Sequence, residues 1–304
     1  MEPFRVHILG CGSALPTLRH YASSQIVEVR GKVMMIDCGE GTQMQLRRCH
    51  IRFTKLSCVF ISHLHGDHCF GLIGMISTFG MLGRTAPLHI YAEERLEPML
   101  SKQMELFCRD LDFQVVFHTI DPAQQAVVYE DRSLTVTTIP LSHRMPTCGF
   151  LFREKSGLPH INREKADFYG IPVSQFDNIK NGADWTKEDG TIILNSRLVT
   201  PPDEPRSYAY CSDTRYLPAL HEQLKGVNTL YHESTYGEDS LKRAEKYFHS
   251  TARQAATVAR DAGVGQLILG HYSSRYEDEQ VLLKEACQVF PHTRLSDELT
   301  VFDV

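Results

Sequence analysis

The sequence predicts a mixed α/β (α+β) protein in which two β-sheets are covered by helices. Short runs rich in β-branched and aromatic residues alternate with helical stretches, and some neighbouring strands form hairpins instead of strict βαβ units. Several of the apolar runs also end directly in histidine or aspartate. With 304 residues the chain is long enough for one large domain or two ordinary ones.

The first half of the chain supplies most of the predicted strands. FRVHIL is strand-like and ends in the glycine turn GCGSALP, which lacks the third glycine of a dinucleotide-binding loop because Leu15 stands there. SQIVEV and VMMID flank RGK and are predicted to form a hairpin. The elements predicted next are a strand at CVFIS, a helix at CFGLIGMISTFGML, a strand at LHIYA, a helix over about 93–107, and strands at FQVVFHTI, AVVYE and LTVTTIP.

The second half resumes the alternation after a different kind of segment. Its predicted elements are strands at SYAYCSD and NTLYHE, a helix near 252–262, a strand at QLILGH, another helix and a last strand at ELTVFDV. Residues 153–192 are polar, rich in turn residues and hold the only tryptophan, Trp185. Since so long an irregular stretch in a domain usually has a function, we expect one domain over 1–304 with an inserted arm at about 153–192.

Composition restricts the function classes. The net charge of −5 disfavours a polyanionic partner unless a local basic surface exists. Nine scattered cysteines without a C-x-x-C pair argue against a disulfide framework and a zinc knuckle. The start MEPFRVHILG resembles no secretory signal, and the uncharged stretch GLIGMISTFGMLG is too short to cross a bilayer. We therefore expect a reduced, cytoplasmic protein with no membrane partner.

The segment FISHLHGDH indicates a metal centre, because His63, His65, Asp67 and His68 occupy six consecutive positions after an apolar run. Such crowded polar groups are costly to bury unless they bind something. Three more candidate ligands end predicted strands: His143, Asp213 and His271. Borderline cations such as Zn²⁺ favour imidazole and carboxylate ligands, and seven of these suit two metals that share a carboxylate.

Simpler interpretations remain for single residues near this segment. His143 or His271 alone would more often be an ordinary surface or core histidine. Cys69 and Cys211 lie near the predicted ligands, but a buried thiol at a strand end is the commoner case. Asp37, in DCGEGTQMQLRR, could accept a hydrogen bond from a metal-bound histidine or could simply form a turn.

The motifs LGCGSALP, DCGEGTQMQLRR, ISHLHGDHCFGLIG, PLSH, CSDTR, HEST, YFHSTARQAA and LILGHYSSRY together resemble the metallo-β-lactamase superfamily and, within it, the ribonuclease Z family. The resemblance implies an αββα sandwich with a protruding arm and two Zn²⁺ per subunit, other divalent metals being possible. It implies that His63, His65 and His143 hold one ion. Asp67, His68 and His271 would hold the other, with Asp213 bridging both.

The resemblance also implies roles in catalysis. Asp67 would accept a proton and His249, oriented by Glu233, would donate one, although His249 also precedes a helix that Ser250 or Thr251 can cap. The activity implied is removal of the 3′ trailer from precursor tRNA, which leaves a tRNA 3′-OH and a trailer 5′-phosphate, by a homodimer whose arm grips the tRNA.

Two features depart from the family pattern and keep alternatives open. The arm lacks the Gly-Pro dipeptide, and His20 follows Arg19 where the family pattern has Asn. The second candidate function is a small-molecule phosphodiesterase or arylsulfatase-like hydrolase with the same two-metal site. A catalytically inactive scaffold is disfavoured because no predicted ligand is replaced, and a thioester hydrolase because the HST motif and the arm would have no role.

Overall fold

The secondary structure follows the predicted alternation for most of the chain. The structure is a computed structural model that describes residues 2–304. Its first half contains β1 (Phe4–Gly10), β2 (Ser24–Val29), β3 (Lys32–Ile36), α1 (Thr42–Arg48), β4 (Leu56–Phe60), α2 (Gly66–Cys69), α3 (Gly71–Met81), β5 (Leu88–Ala92), α4 (Leu96–Phe107), β6 (Val115–Thr119), β7 (Val127–Glu130), β8 (Leu134–Pro140) and β9 (Cys148–Glu154).

The second half begins with short elements and then returns to regular strands and helices. Its elements are β10 (His160–Ile161), α5 (Arg163–Phe168), α6 (Phe176–Lys180), β11 (Trp185–Thr186), β12 (Ile192–Ile193), α7 (Asn195–Leu198), β13 (Val199–Thr200), β14 (Ser207–Cys211), α8 (Leu220–Gln223), β15 (Thr229–Glu233), α9 (Leu241–Tyr247), α10 (Ala252–Ala262), β16 (Gln266–Gly270), α11 (Gln280–Cys287), β17 (Thr293–Leu295) and β18 (Val301–Asp303).

Two seven-stranded sheets form the larger of two compact units, which comprises residues 2–130, 135–153 and 206–304. One sheet has the order β18-β1-β2-β3-β4-β5-β6, and β3 to β6 run parallel. The other has the order β17-β16-β15-β14-β9-β8-β7, and β14 to β17 run parallel. Each sheet therefore brings a set of strand carboxyl ends to one edge, where ligand sites of α/β proteins commonly form.

Alternation along the strands produces the layers. Val59 of β4 packs into an apolar cluster with residues of α1, α3 and α4, such as Leu46 and Phe79. The next residue, Phe60, faces the second sheet, and its ring centroid lies 5.4 Å from that of Phe150 in β9. Successive side chains of a strand point to opposite faces, so helices cover one face of the first sheet and the second sheet covers the other.

The second sheet is covered in the same way by α8, α10 and α11. Helix α10 contacts β15, β16, α8 and α11, and α11 contacts β17. Its buried residues are five alanines and one valine, and these small side chains let the helix lie close to the strands. A capping box between Thr251 and Gln254 starts the helix, and Gly263 in the left-handed region (φ 63°) ends it. The predicted α/β architecture of two sheets covered by helices is confirmed.

The smaller unit comprises residues 131–134 and 154–205, so it continues beyond residue 192, where we expected the arm to end. It holds the three short helices α5 to α7 and two two-stranded sheets, β10-β13 and β11-β12. Its own apolar cluster consists of Ala166, Ile171, Phe176, Ile179, Ile193 and Leu198. The polar segment is thus organised around a small core of its own and is not an irregular loop.

Strands β9 and β17 were not among the predicted elements. Gly149 interrupts the pattern of β9, and it is required there because a Cβ would collide with the backbone carbonyl of Tyr210 in β14. No helix among the described residues combines the length and apolarity that crossing a membrane requires.

Candidate metal centre and active site

The predicted metal ligands meet where strands of both sheets end. The loop after β4 carries His63 and His65, and the short helix α2 that follows it carries Asp67 and His68. Strand β8 is followed by His143, β14 by Asp213 and β16 by His271. Two of these residues adopt left-handed backbone conformations, with φ of 54° at Asp213 and 58° at His271. The chain therefore turns sharply just after β14 and β16 and holds these two side chains at the edge of the sheet.

The first group of candidate ligands comprises His63, His65, His143 and Asp213. Each offers a ligand atom, and these atoms all lie within 4.8 Å of one another. His63 Nε2 lies 3.0 Å from His65 Nδ1, and His143 Nε2 lies 3.5 Å from Asp213 Oδ2. Three imidazoles and a carboxylate around one point are ligands that a tetrahedral Zn²⁺ accepts.

Asp67, His68 and His271 form the second group, with ligand atoms again within 4.8 Å of one another. Asp67 Oδ2 lies 3.5 Å from His68 Nε2 and 3.6 Å from His271 Nε2. Burial alone would raise the pKa of Asp67, but His68 and His271 hold that pKa well below its usual range. Asp67 is therefore ionised across the physiological pH range.

Asp213 faces both groups at once. Its Oδ2 lies 3.4 Å from His63 Nε2 in the first group, while its Oδ1 lies 2.9 Å from His271 Nε2 in the second. Burial would raise the pKa of this carboxyl, yet the surrounding histidines, led by His271, lower it well below its usual range. One carboxylate oxygen directed to each group is the arrangement of a ligand that bridges two cations.

The residues fit bound metal by a further criterion. Three buried polar atoms of the second group, Asp67 Oδ2, His68 Nε2 and His271 Nε2, have no hydrogen-bond partner among the described residues. Buried polar atoms without partners are rare in native proteins because each costs free energy. A cation between them would use all three lone pairs, so the donor set matches a divalent metal.

Asp37 holds His68 in place. It is fully buried, with φ of 55°, and its Oδ2 accepts a hydrogen bond from His68 Nδ1 at 2.7 Å. The same oxygen accepts hydrogen bonds from Tyr210 OH at 2.7 Å and Ser62 Oγ at 2.9 Å, while Oδ1 accepts one from the Ser62 N–H at 2.7 Å. Of the two interpretations of Asp37, the structure favours the partner of a metal-binding histidine, which leaves His68 Nε2 as the ligand atom.

Two other histidines have outer partners as well. His143 Nδ1 donates to the Phe248 carbonyl at 3.0 Å, and His271 Nδ1 to Thr235 Oγ1 at 2.9 Å. Thr235 Oγ1 in turn donates to Glu233 Oε2 at 2.6 Å. These bonds direct Nε2 of both rings toward the centre, since an imidazole with an N–H on Nδ1 keeps its lone pair on Nε2.

His249 and Glu233 form a pair beside the two groups. His249 Nδ1 lies 2.8 Å from Glu233 Oε1, and Glu233 is completely buried at the end of β15. Burial alone would lower the pKa of His249, but the Glu233 carboxylate raises it. The raised pKa favours the charged imidazole, the form that a proton donor requires. Thr251 caps α10, so His249 also precedes a capped helix, as expected.

The structure thus brings together the seven predicted ligands and the predicted pair His249 and Glu233. Two residues of the centre, Tyr210 and Thr235, were not singled out from the sequence, although both lie in quoted motif segments, SYAYCSD and HEST. Neither Cys69 nor Cys211 belongs to any group of potential metal ligands among residues 2–304.

Curated relatives resemble the chain over its whole length. It is 58% identical to a ribonuclease Z of Bacteroides fragilis over 298 residues, which covers 98% of both chains. It is 51% identical to the ribonuclease Z of Porphyromonas gingivalis over 304 residues, which is all of both chains. The chain belongs to the ribonuclease Z family. Membership makes it a metal-dependent hydrolase of the endoribonuclease class, as predicted from its motifs.

Solved structures share the fold of this ribonuclease Z family member. The short form of human tRNase Z superimposes with a TM-score of 0.70 at 23% identity and covers 98% of both chains. A metallo-β-lactamase fold protein from Bacillus subtilis gives a TM-score of 0.69 at 19% identity over all of both chains. The metallo-β-lactamase fold is therefore confirmed. A family profile described as “Anti-Pycsar protein Apyc1” also matches residues 4–159.

Proposed function

We propose that this ribonuclease Z family member binds two divalent cations, zinc in the first instance, and removes the 3′ trailer from precursor tRNA. His63, His65 and His143 would hold one ion, Asp67, His68 and His271 the other, and Asp213 both. The observation that carries the proposal is the Asp213 carboxylate, whose two oxygens face different ligand groups at 3.4 and 2.9 Å. The products would be a tRNA 3′-OH and a trailer with a 5′-phosphate.

When bound, two divalent cations supply positive charge that polarises the scissile phosphate and lowers the pKa of a water molecule. Asp67, ionised beside His68 and His271, accepts the proton from the attacking water. Its Oδ2 contacts ligands of one group, and its side chain also lines the same cleft as His65 and His143. The carboxylate therefore stands both at the metal centre and at the substrate.

The leaving group is the ribose 3′-oxygen of the tRNA, which must receive a proton as the bond to phosphorus breaks. His249 lines the cleft, and Glu233 holds its Nδ1, which leaves Nε2 as the nitrogen that exchanges a proton with the substrate. The Glu233 carboxylate raises the pKa of His249 and so favours the protonated imidazole. His249 thus marks the leaving-group side of the cleft.

The remaining parts of the proposal concern recognition and assembly. A precursor tRNA presents far more surface than the cleft of about 360 Å³ can enclose, so other surfaces must bind its body. We assign this role to the inserted unit of residues 154–205, acting in a homodimer in the cytoplasm. This unit lacks the Gly-Pro dipeptide of the family pattern, but it still has an apolar core of its own, which Phe176 and Ile179 help to form.

The decisive experiment is cleavage of an unmodified precursor tRNA that carries a 3′ trailer, with the product ends mapped, beside hydrolysis of bis(p-nitrophenyl) phosphate. A cut just after the discriminator base, abolished by Asp67→Ala, is the expected result. Hydrolysis of the small diester with an untouched tRNA would instead support the second candidate, a small-molecule phosphodiesterase.

A further inference from the structure

Three cationic side chains gather on one aromatic ring at the edge of the catalytic cleft. The guanidinium carbons of Arg144 and Arg243 lie 4.8 and 5.3 Å from the ring centroid of Tyr247, and Lys246 Nζ lies 5.5 Å from it. The three cations are exposed, whereas Tyr247 is half-buried. We call Arg144, Arg243, Lys246 and Tyr247 the basic rim.

The basic rim adjoins the catalytic residues directly. Arg144, Arg243 and Tyr247 line the same cleft as His249 and Asp213. Arg144 follows the candidate ligand His143 in the chain, and its guanidinium donates to the Lys246 carbonyl at 3.3 Å. This bond fixes the arginine at the carboxyl end of α9, whose last carbonyls favour positive charge.

The clustered charge lacks a carboxylate partner among the described residues. Arg144, Arg243 and Lys246 form no ion pair with a carboxylate anywhere in residues 2–304, and helix α9 carries only one acid, Glu245, against three bases. Like charges held this close repel each other, and an anion that binds between them relieves the repulsion. In a chain with a net charge of −5, so local an excess of positive charge indicates an anionic ligand.

The rim also has a defined orientation relative to the chemistry. The imidazole of His249 lies beside that of His143, with ring centroids 5.1 Å apart, and Arg144 continues from His143 toward Tyr247. Since His249 serves the leaving 3′-oxygen, the strand that ends in that oxygen lies on the His249 side. The phosphates next to the rim are therefore those on the 5′ side of the cut.

From this geometry we propose that the basic rim binds the sugar–phosphate backbone of the substrate RNA on the 5′ side of the scissile bond and so fixes the direction in which the strand crosses the cleft. The inference rests on the proposed function and deepens it by assigning strand polarity. Lys and Arg contacts to phosphate displace counterions, so each contact adds to the salt dependence of binding.

The test compares the triple variant R144Q/R243Q/K246Q with the charge-matched control K225Q/K284Q/R294Q, whose three residues are exposed and lie outside the cleft. Metal content and the urea unfolding midpoint establish that both variants are folded. We expect kcat/KM for precursor tRNA to fall by at least about tenfold in the rim variant. The negative slope of log(kcat/KM) against log[salt] should become shallower by about 2. For each variant, kcat/KM for precursor tRNA is divided by its rate of bis(p-nitrophenyl) phosphate hydrolysis, which corrects for differences in the metal centre.

Strand polarity is tested with substrates that carry uncharged methylphosphonates at the first three linkages on one side of the cut. The wild type should lose rate with 5′ methylphosphonates, and the rim variant should show no further loss. Methylphosphonates on the 3′ side should affect both proteins equally. The inference alone would be overturned if the rim and control variants had equal kcat/KM and equal salt dependence. It would also be overturned if the rim variant lost no further rate with 3′ methylphosphonates while the wild type did. Failure of the wild type to cut precursor tRNA at all would overturn the proposed function together with it.

Discussion

Asp37 provides the most direct test of how the protein fixes its metal ligands. In the Asp37→Asn variant the shape of the side chain is kept and its charge is removed. Asparagine tolerates the left-handed backbone found at this position (φ 55°). A change in behaviour would therefore come from the hydrogen bonds of the side chain and its lost charge.

The magnitude follows from the four donors around this carboxylate. The Ser62 N–H donates to Oδ1, whereas His68 Nδ1 donates to Oδ2, at 2.7 Å in both cases. An amide has one oxygen and one NH₂ group, so in either orientation its NH₂ faces one of these N–H groups. A lost hydrogen bond to a charged group costs about 1.5–3 kcal/mol. If the NH₂ faces His68, metal affinity should fall about 10–100-fold.

Metal competition against a chelator and urea unfolding of the metal-loaded protein measure the two parts of this cost. Tyr210→Phe is the matched control, because it removes one donor from the same oxygen, at 2.7 Å, and leaves the charge. We expect that variant to lose about 1.5–3 kcal/mol of unfolding free energy and little metal affinity. An Asp37→Asn protein with wild-type metal affinity and wild-type stability would refute the reasoning.

Three further results are expected. His249→Ala should lower the turnover of precursor tRNA about 100-fold or more, the scale of acid catalysis, with metal content unchanged; near-wild-type cleavage would exclude His249 from the mechanism. Burial alone would lower the pKa of His20, but Glu298 raises it. The protonated His20 therefore stabilises the folded state. This contribution is complete below the unfolded pKa of about 6.5 and is lost as pH rises through the pKa of the folded state. Between pH 6 and 9 the urea midpoint of the wild type should therefore fall more than that of His20→Gln, and equal slopes would contradict this. Gly39→Ala should destabilise by about 1–3 kcal/mol, because its Cβ would collide with the Asp67 carbonyl. Gly157→Ala, whose Cβ meets nothing within 4 Å, should be nearly neutral in the same unfolding assay.

The sequence allowed the candidate centre to be located because its predicted ligands follow apolar strands, and the structure brings these residues close together. An apolar run that ends in His or Asp predicts both a strand and the position of that side chain at the edge of the sheet, as LILGH does for His271. Order along the chain could not show which ligand bridges. The resemblance supplied the assignment to Asp213, and the two directions of its carboxylate, which support it, depend on how the strand ends of both sheets meet.

Features that depend on distant residues were not predictable. The cluster inside the smaller unit joins Ala166 to Leu198 across polar turns, and no periodic pattern relates its members. Likewise Arg144 meets Tyr247 across about a hundred residues of sequence, so a charge count along the chain does not reveal the basic rim. Strand β9 was missed because Gly149, which lowers strand propensity, is needed for close contact with Tyr210.

The ligand set has a consequence for biosynthesis. The predicted ligands are spread from His63 to His271, and they meet at strand ends of two sheets. A nascent chain on the ribosome has therefore exposed its histidine-rich loop long before Asp213 and His271 emerge. Under the proposed two-ion assignment, the complete ligand set therefore exists only in a chain that has been synthesised past His271, when β16 of the second sheet has also been made.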